Sequence, residues 1–366
     1  MGSVFYDAAA GSGKTTHLVR EALAFEGSVL LTTFTDENAN EIRRALIREA
    51  GGVPARIEVI PWFTFLLRHG VRPFQGSAGC GDIDFSGVVM PDGASAVMTR
   101  KQSLSHYACG SAGRMKVYTD KLSELALVCD LRSGGSVIGR IRAVYDMICV
   151  DEVQDMSGYD LEFLAAMIRG GCELRLAGDQ RQATFHTSKG KMNGKYQEQG
   201  FGQYLREKNL TVLCPIDEET LRGCHRCTQA MLDLADGLYP QLPRSVSLLP
   251  ASTGSAGVLV VPESLAGKYF AEVRPVALRY QRSSALPQGV ADASNFGAVK
   301  GRTFEHTLLV LTNDMQRWLV DPSVDLKPAT RARFYVALTR ARCSVALVVS
   351  DKRADKLRGR FDVWNG

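Results

Sequence analysis

The chain has 366 residues, 45% hydrophobic and 23% charged, with a formal net charge of +5 from 44 Lys and Arg against 39 Asp and Glu. Such a length suggests about two domains of roughly 100–200 residues each, in a composition able to bury real cores, and the mild positive charge permits a polyanion partner without requiring one. No apolar run reaches the ~20 residues that cross a bilayer, no basic-then-apolar leader opens the chain, and Tyr6 stands where an N-myristoylation signal needs Ser or Thr, so no membrane partner is expected.

The first element is the strand-like "SVFYD", followed at Ala8 by "AAAGSGKTTHLV". A helix from about Lys14 to Ala24 begins inside that glycine loop. "SVLLTTF" (28–34) reads as a buried strand, and "DENANEIRRALIREAG" (36–51) as a helix that Asp36 caps and Gly51 ends. "IEVIPWFTFLLRHG" (57–70) reads as strand, turn and helix. A Gly/Ser-rich stretch, "FQGSAGCGDIDFSGVVMPDGASA", separates it from a second helical piece at 115–129, so an accessory insertion is expected at about 72–130. "YDMICVDEVQ" (145–154) is an apolar strand ending in carboxylates; helix 161–170 and strand 172–179 follow. This alternation predicts a parallel sheet covered by helices.

The pattern restarts near 211. "TVLCPI", "AGVLVV", "VRPVALRY", "TLLVLT" and "SVALVVS" are strand candidates, separated by helical stretches such as "CTQAMLDLADGLY" and "RARFYVALTRAR". The expected organisation is one α/β domain over 1–211 and a second over 212–366, with no internal sequence repeat. The nine cysteines, odd in number and scattered, suit a reducing cytoplasm; Cys224 and Cys227 form a C-x-x-C, but no second pair stands at zinc-like spacing.

Two stretches carry chemistry. In the glycine loop, Gly11 and Gly13 let backbone N–H groups approach phosphate oxygens, Lys14 supplies a point charge, Thr15 a hydroxyl for Mg²⁺, and the helix behind them a positive end. Ala8 replaces the first Gly of the general phosphate-loop pattern. In "ICVDEVQD", Asp151 suits Mg²⁺ and Glu152 suits orienting or deprotonating a water. A chance glycine turn and a solvated acidic pair are the plain alternatives; a complete GSGKT after a strand, and carboxylates at the end of a strand this apolar, weigh against both.

In chain order the motifs resemble those of the UvrD/Rep family of superfamily 1 helicases: "AAAGSGKT" (8–15), "TTFTDENANEIRRAL" (32–46), "PWFTFLLR" (61–68), "VDEVQD" (150–155), "AGDQRQATF" (177–185), "LRGCHRC" (221–227), "VKGRTFEHTLLV" (299–310) and "FYVALTRAR" (334–342). The resemblance implies two RecA-like parallel-sheet domains and an ATPase using ATP and Mg²⁺ while it moves on single-stranded DNA, with 3′→5′ helicase polarity. Ala10, Gly11, Ser12, Gly13, Lys14, Thr15 and Thr16 would line the phosphates, with Gln154 and Gly301 near the nucleotide. Thr15 and Asp151 would hold the metal. Glu152 and Gln182 would act on the attacking water and γ-phosphate, and Arg226 and Arg340 would serve as arginine fingers. Phe34, Thr35, Phe63, Phe185, Lys189, Lys191 and Lys195 are the nucleic-acid candidates, the aromatics by stacking and the lysines by meeting phosphates without a nearby acid in sequence. Core packing is the alternative for Phe63 and Trp62, and a solvated loop for the lysines. Stacking and phosphate contacts do not separate DNA from RNA.

Departures from the family pattern sharpen these expectations. The seven residues before the loop offer no counterpart of the family's adenine-reading Gln segment. Thr303 stands where motif V carries Glu, and His186-Thr187 where many members place a stacking Trp. The interval from 226 to 299 is too short for a large second insertion, which favours translocation over strong unwinding. A second reading keeps the ATPase and assigns its output to a partner nuclease or replication protein. A P-loop phosphotransferase is the third, disfavoured because it needs no second sheet bearing arginines.

Overall fold

The computed structural model describes residues 2–95, 99–101, 103–111, 113–184, 192–250 and 257–366. The chain divides into two compact units, residues 1–8 with 14–219, and residues 9–13 with 220–366.

The first unit is built on strands β1 (Val4–Asp7), β2 (Val29–Thr33), β3 (Ile57–Pro61), β7 (Met147–Val150), β8 (Leu174–Gly178) and β9 (Ile216–Asp217), in the order β3-β2-β7-β8-β1-β9 and all parallel. Every residue of β2, β7 and β8 is buried, as strands covered on both faces require. Helices α1 (Lys14–Ala24), α2 (Asp36–Ala50), α3 (Trp62–Phe65), α4 (Leu104–Tyr107), α5 (Thr119–Arg132), α6 (Ser136–Val144), α7 (Tyr159–Arg169) and α8 (Tyr196–Glu207) belong to the same unit. Capping is local and legible. Thr35 Oγ1 accepts the Asn38 N–H at 3.1 Å at the head of α2, Asp36 and Glu37 face its positive end, and Gly51 closes it in the left-handed region at φ 74°. Thr35 therefore caps this helix, the role the sequence suggested for Asp36.

The accessory insertion contains a three-stranded sheet, β4 (Asp84–Val89), β5 (Ala108–Ser111) and β6 (Arg114–Tyr118), in the order β4-β6-β5. The helix expected at 115–129 is thus a strand to Tyr118 and a helix only from Thr119.

The second unit repeats the scheme. Strands β12 (Val258–Pro262), β13 (Val276–Arg279), β14 (Ser294–Asn295), β15 (Phe304–Val310), β16 (Ala341–Val349) and β17 (Asp362–Val363) form a parallel sheet in the order β14-β13-β15-β16-β12-β17. A short pair, β10 (Gly223–Cys224) with β11 (Val246–Ser247), stands apart from it. The helices are α9 (Gln229–Asp236), α10 (Ala266–Val273), α11 (Asn313–Val320), α12 (Pro328–Leu338) and α13 (Asp351–Leu357). The expectation of two helix-covered parallel sheets in an α/β fold holds. Numbered along the chain within each large sheet, the strands of both run 3-2-4-5-1-6.

Residues 212–219 depart from the expected boundary. "TVLCPI" yields only the two-residue β9, which pairs with β1 through Phe5–Ile216 and Tyr6–Asp217, so this segment completes the edge of the first sheet.

Candidate functional site

The strands of the first sheet are parallel, so the loops that leave their carboxyl ends gather along one edge, where open α/β sheets place their ligand sites. The loops after β1, β7 and β8 carry the glycine motif, Asp151–Asp155 and Asp179–Gln182.

At the glycine motif, the Ala8 N–H donates to the Gly178 carbonyl at 2.8 Å as the chain leaves β1. Gly11 (φ 70°) and Gly13 (φ 82°) occupy the left-handed region that glycine tolerates without strain. Lys14 opens α1 and its Nζ lies 3.9 Å from Glu152 Oε1. Residues 9–13 pack with the second unit: the Ala9 N–H donates to the Leu221 carbonyl (2.8 Å) and the His225 N–H to the Gly11 carbonyl (2.9 Å). A Cβ on Gly11 would lie 3.4 Å from the guanidinium carbon of Arg226. Arg226 Nε and Nη2 are buried with no hydrogen-bond partner in the protein, as is Ser12 Oγ. Buried guanidinium nitrogens without acceptors cost free energy that an anion at the loop would recover.

The second loop meets the first through side chains. Thr15 Oγ1 donates to Asp151 Oδ2 at 2.5 Å. Burial and the neighbouring Glu152 push the Asp151 carboxyl up to about 6, against the pull of Lys14 and the Thr15 hydrogen bond. Glu152 itself has φ 58° and ψ 41°, a left-handed conformation costing a non-glycine residue roughly 1–3 kcal/mol. That turn lets the Glu152 N–H reach Asp151 Oδ1 at 2.9 Å and lets Gln154 Nε2 donate to the Glu152 carboxylate.

Gln154 joins the second loop to the third. Its Oε1 accepts the Asp179 N–H at 3.1 Å, and a Cβ on Gly178 would sit 2.7 Å from that same oxygen, so a glycine is needed there. Asp179 is fully buried; its carboxylate accepts from Gln182 Nε2 (2.8 Å) and the Arg181 backbone N–H (3.1 Å). Gln180 Nε2 reaches Asp7 Oδ2 at 2.6 Å. Burial first, then the Asp179 charge, raises Asp7 to about 6, and Asp7 Oδ1 is buried without a partner. Asp7, Asp179 and Gln180 were not singled out from the sequence. The available signal was an Asp closing the strand before a glycine loop.

The remaining expected residues fall in three groups. Arg340 is 2% exposed and bound within its own unit, through Nε to the Val336 carbonyl (2.9 Å) and Nη2 to Thr339 Oγ1 (3.2 Å). Ala10 is buried, Thr16 lies in the first turn of α1, and Gly301 sits in a turn at φ 83°.

The second group concerns the nucleic-acid candidates. Phe63 is 7% exposed in the core, edge-on to the half-buried Phe34 at 5.5 Å, and Trp62 is fully buried with Nε1 on Asp160 Oδ1 at 2.7 Å. Packing, the alternative reading, accounts for where Phe63 and Trp62 sit. Thr35 Oγ1 is engaged as a cap. Lys195 was expected to lack an acid, yet it pairs with Glu207 across the non-helical break at Gly200 (φ 81°, ψ 168°), and lies 4.8 Å from the Tyr196 ring centre. The third group, Phe185, Lys189 and Lys191, lies outside the described residues.

Among the described residues no group of three or more His, Cys, Asp or Glu side chains converges as a metal cage, and no helix is long and apolar enough to cross a membrane.

No family model and no curated protein matches the chain. Among solved structures it is similar to the arterivirus nonstructural protein 10 helicase in complex with DNA, at TM-score 0.47 and 19% identity over 97% of this chain and 63% of that one. It is similar to the crystal structure of the arterivirus helicase (0.45, 19%, 97% and 61%) and to the PRRSV helicase (0.46, 16%, 96% and 53%). The chain thus spans between about half and two thirds of the length of those proteins.

Proposed function

We propose that this chain is a nucleoside-triphosphate hydrolase of the superfamily 1 helicase type, most akin to the UvrD/Rep family, that uses ATP and moves on single-stranded DNA in the 3′→5′ sense. The observation that carries the reading is the meeting of Lys14 and Thr15, at the head of α1, with Asp151 and Glu152 from the loop after β7.

The donor set suits a nucleotide phosphate chain with a divalent cation. Thr15 and Asp151 are a hydroxyl and a carboxylate already in contact, the oxygen ligands magnesium takes. When bound, that cation neutralises charge on the phosphate oxygens. Lys14 and the head of α1 attract the β- and γ-phosphates, and the backbone N–H groups of Gly11 to Lys14 approach them. Glu152, held by Gln154 in its strained turn, takes a proton from the attacking water. Arg226 places a fixed cation beside the loop for charge that develops on the departing phosphoryl group. Gln154 and the buried Asp179–Gln182 cluster tie the state of that site to the loop after β8, the route by which hydrolysis reaches a bound strand.

The test is ATP turnover with and without single-stranded DNA, run beside strand displacement on 3′- and 5′-tailed duplexes. At least tenfold stimulation, with displacement from the 3′ tail, is expected. Turnover indifferent to single strands would overturn the motor and favour a nucleotide-gated module serving a partner protein. Stimulation by RNA alone would reassign the strand.

A further inference from the structure

The C-x-x-C at Cys224–Cys227 has no role in the hydrolysis described above, yet it lies against the glycine loop. Cys224 closes β10, and Cys227 precedes the Thr228 cap residue of α9. Both side chains are fully buried. Cys224 Sγ accepts the backbone N–H groups of Arg226 (3.4 Å) and Cys227 (3.2 Å), and Cys227 Sγ lies 3.6 Å from the Thr339 carbonyl. A Cβ on Gly11 would be 2.9 Å from Cys224 Sγ, so the sulfur rests directly on the glycine, next in the chain to the His225 N–H that holds the Gly11 carbonyl. The adjacent Cys227 thiol, the two N–H groups and the Arg226 charge bring Cys224 down to about 6 despite burial, while the adjacent Cys224 sulfur and burial raise Cys227. No third ligand joins them among the described residues. Full burial also removes them from disulfide exchange with another protein.

We propose that Cys224 and Cys227 form a peroxide-sensitive dithiol switch whose oxidation to a disulfide displaces the glycine loop and Arg226, the residue inside the ring that the disulfide closes. The oxidant is a small neutral hydroperoxide. The Cys224 sulfur attacks one peroxide oxygen and the O–O bond breaks, giving a sulfenic acid and one water. The Cys227 sulfur then attacks the Cys224 sulfur, the S–O bond breaks, and the hydroxyl leaves with the Cys227 proton as a second water. Two thiols lose two electrons and one hydrogen peroxide becomes two waters. The S–S bond, about 2.05 Å long, draws Cys224 Sγ off its two N–H donors and off Gly11. Reduction by dithiothreitol restores the packing.

The consequence for turnover rests on the proposed nucleotide site, whereas the disulfide and the loop displacement do not, so the test reads all three on the full chain. Hydrogen peroxide is titrated in, the Cys224–Cys227 linked peptide is quantified by mass spectrometry, and amide exchange is followed over residues 9–16 and at His225. The expected result is that this pair links before any other, that exchange in those segments rises at least tenfold and is reversed by dithiothreitol, and that ATP turnover falls at least tenfold with it. Cys227→Ser should keep turnover in the reduced state, stop at a Cys224 sulfenic acid that dimedone captures once the chain is denatured in its presence, and show no linked peptide. The proposal is overturned if the half-buried Cys109 and Cys343 oxidise first while the pair stays as thiols. It is equally overturned if the disulfide forms with amide exchange unchanged. A reduced chain that hydrolyses no ATP counts against the nucleotide site alone, and the peptide and exchange readouts still decide the switch.

Discussion

β1 and β12 hold the same place, fifth in sheets that share one strand order, yet β1 runs into the glycine loop while β12 runs into Pro262 and a single 3-10 turn. The contrast holds at the next strands. β7 is followed by Asp151 and Glu152, whereas its equivalent β15 is followed by Thr312, whose Oγ1 caps α11. β8 ends in Gly178, leaving room for Gln154, and its equivalent β16 ends in Val349. One sheet has loaded its strand ends with charge and close backbone approaches. The other has given the same positions to ordinary caps and packing. The topology supplies a crevice; the loop residues decide whether it is a site.

Substitutions on either side of that contrast test it. Arg226→Ala removes the unpartnered cation beside the loop and is expected to lower ATP turnover on the order of 10³-fold. Arg226→Lys should not restore it, because a point charge lacks the planar fork. Steady-state phosphate release checks both. Gly178→Ala drives a methyl into Gln154 Oε1 and should cost roughly 1–3 kcal/mol in urea unfolding, along with a loss of turnover as Gln154 shifts. Val349→Ala, at the equivalent place, should cost stability and leave turnover per folded molecule intact.

Asp7→Asn probes the buried charge at the end of β1. The folded-state value of about 6 is above the ordinary carboxylate value, so the native state binds the extra proton and the ionised form opposes folding. That cost is absent below the unfolded value near 4 and complete above about 6. The amide should therefore stabilise the protein by on the order of 1–3 kcal/mol at pH 7.5, with the gain vanishing as pH falls to 4. Denaturant midpoints across that range check the sign. The smallest effect pairs the two caps: Thr35→Ala and Thr312→Ala should each cost about 1 kcal/mol, with thermal melts as the readout.

How far the sequence was legible follows from the distance over which each feature is written. The glycine loop, the Asp151–Glu152 strand end and the cap region of α2 are contiguous, and their residue types imply their roles. Gln180 on Asp7 joins residues 173 apart, and Cys224 on Gly11 is likewise a product of folding, so neither can be read along the chain. Phe63 and Trp62 show a different limit, since an aromatic pair at a strand–helix junction has the same composition whether it faces a base or a core. Lys195 looked unpaired because its acid, Glu207, stands beyond the non-helical break at Gly200 (φ 81°, ψ 168°) and not within a turn of it. The shared strand order leaves no sequence repeat because it is written in backbone hydrogen bonds and not in residue identity.

The central claim is that ATP is hydrolysed at the loop after β1. Its most direct measurement is steady-state hydrolysis by the intact chain and by Lys14→Ala, with magnesium and single-stranded DNA present. The account predicts turnover by the intact chain and a fall of roughly 10²–10³-fold in the variant, with an unchanged melt. Equal rates for the two proteins, or no hydrolysis by either, would contradict it.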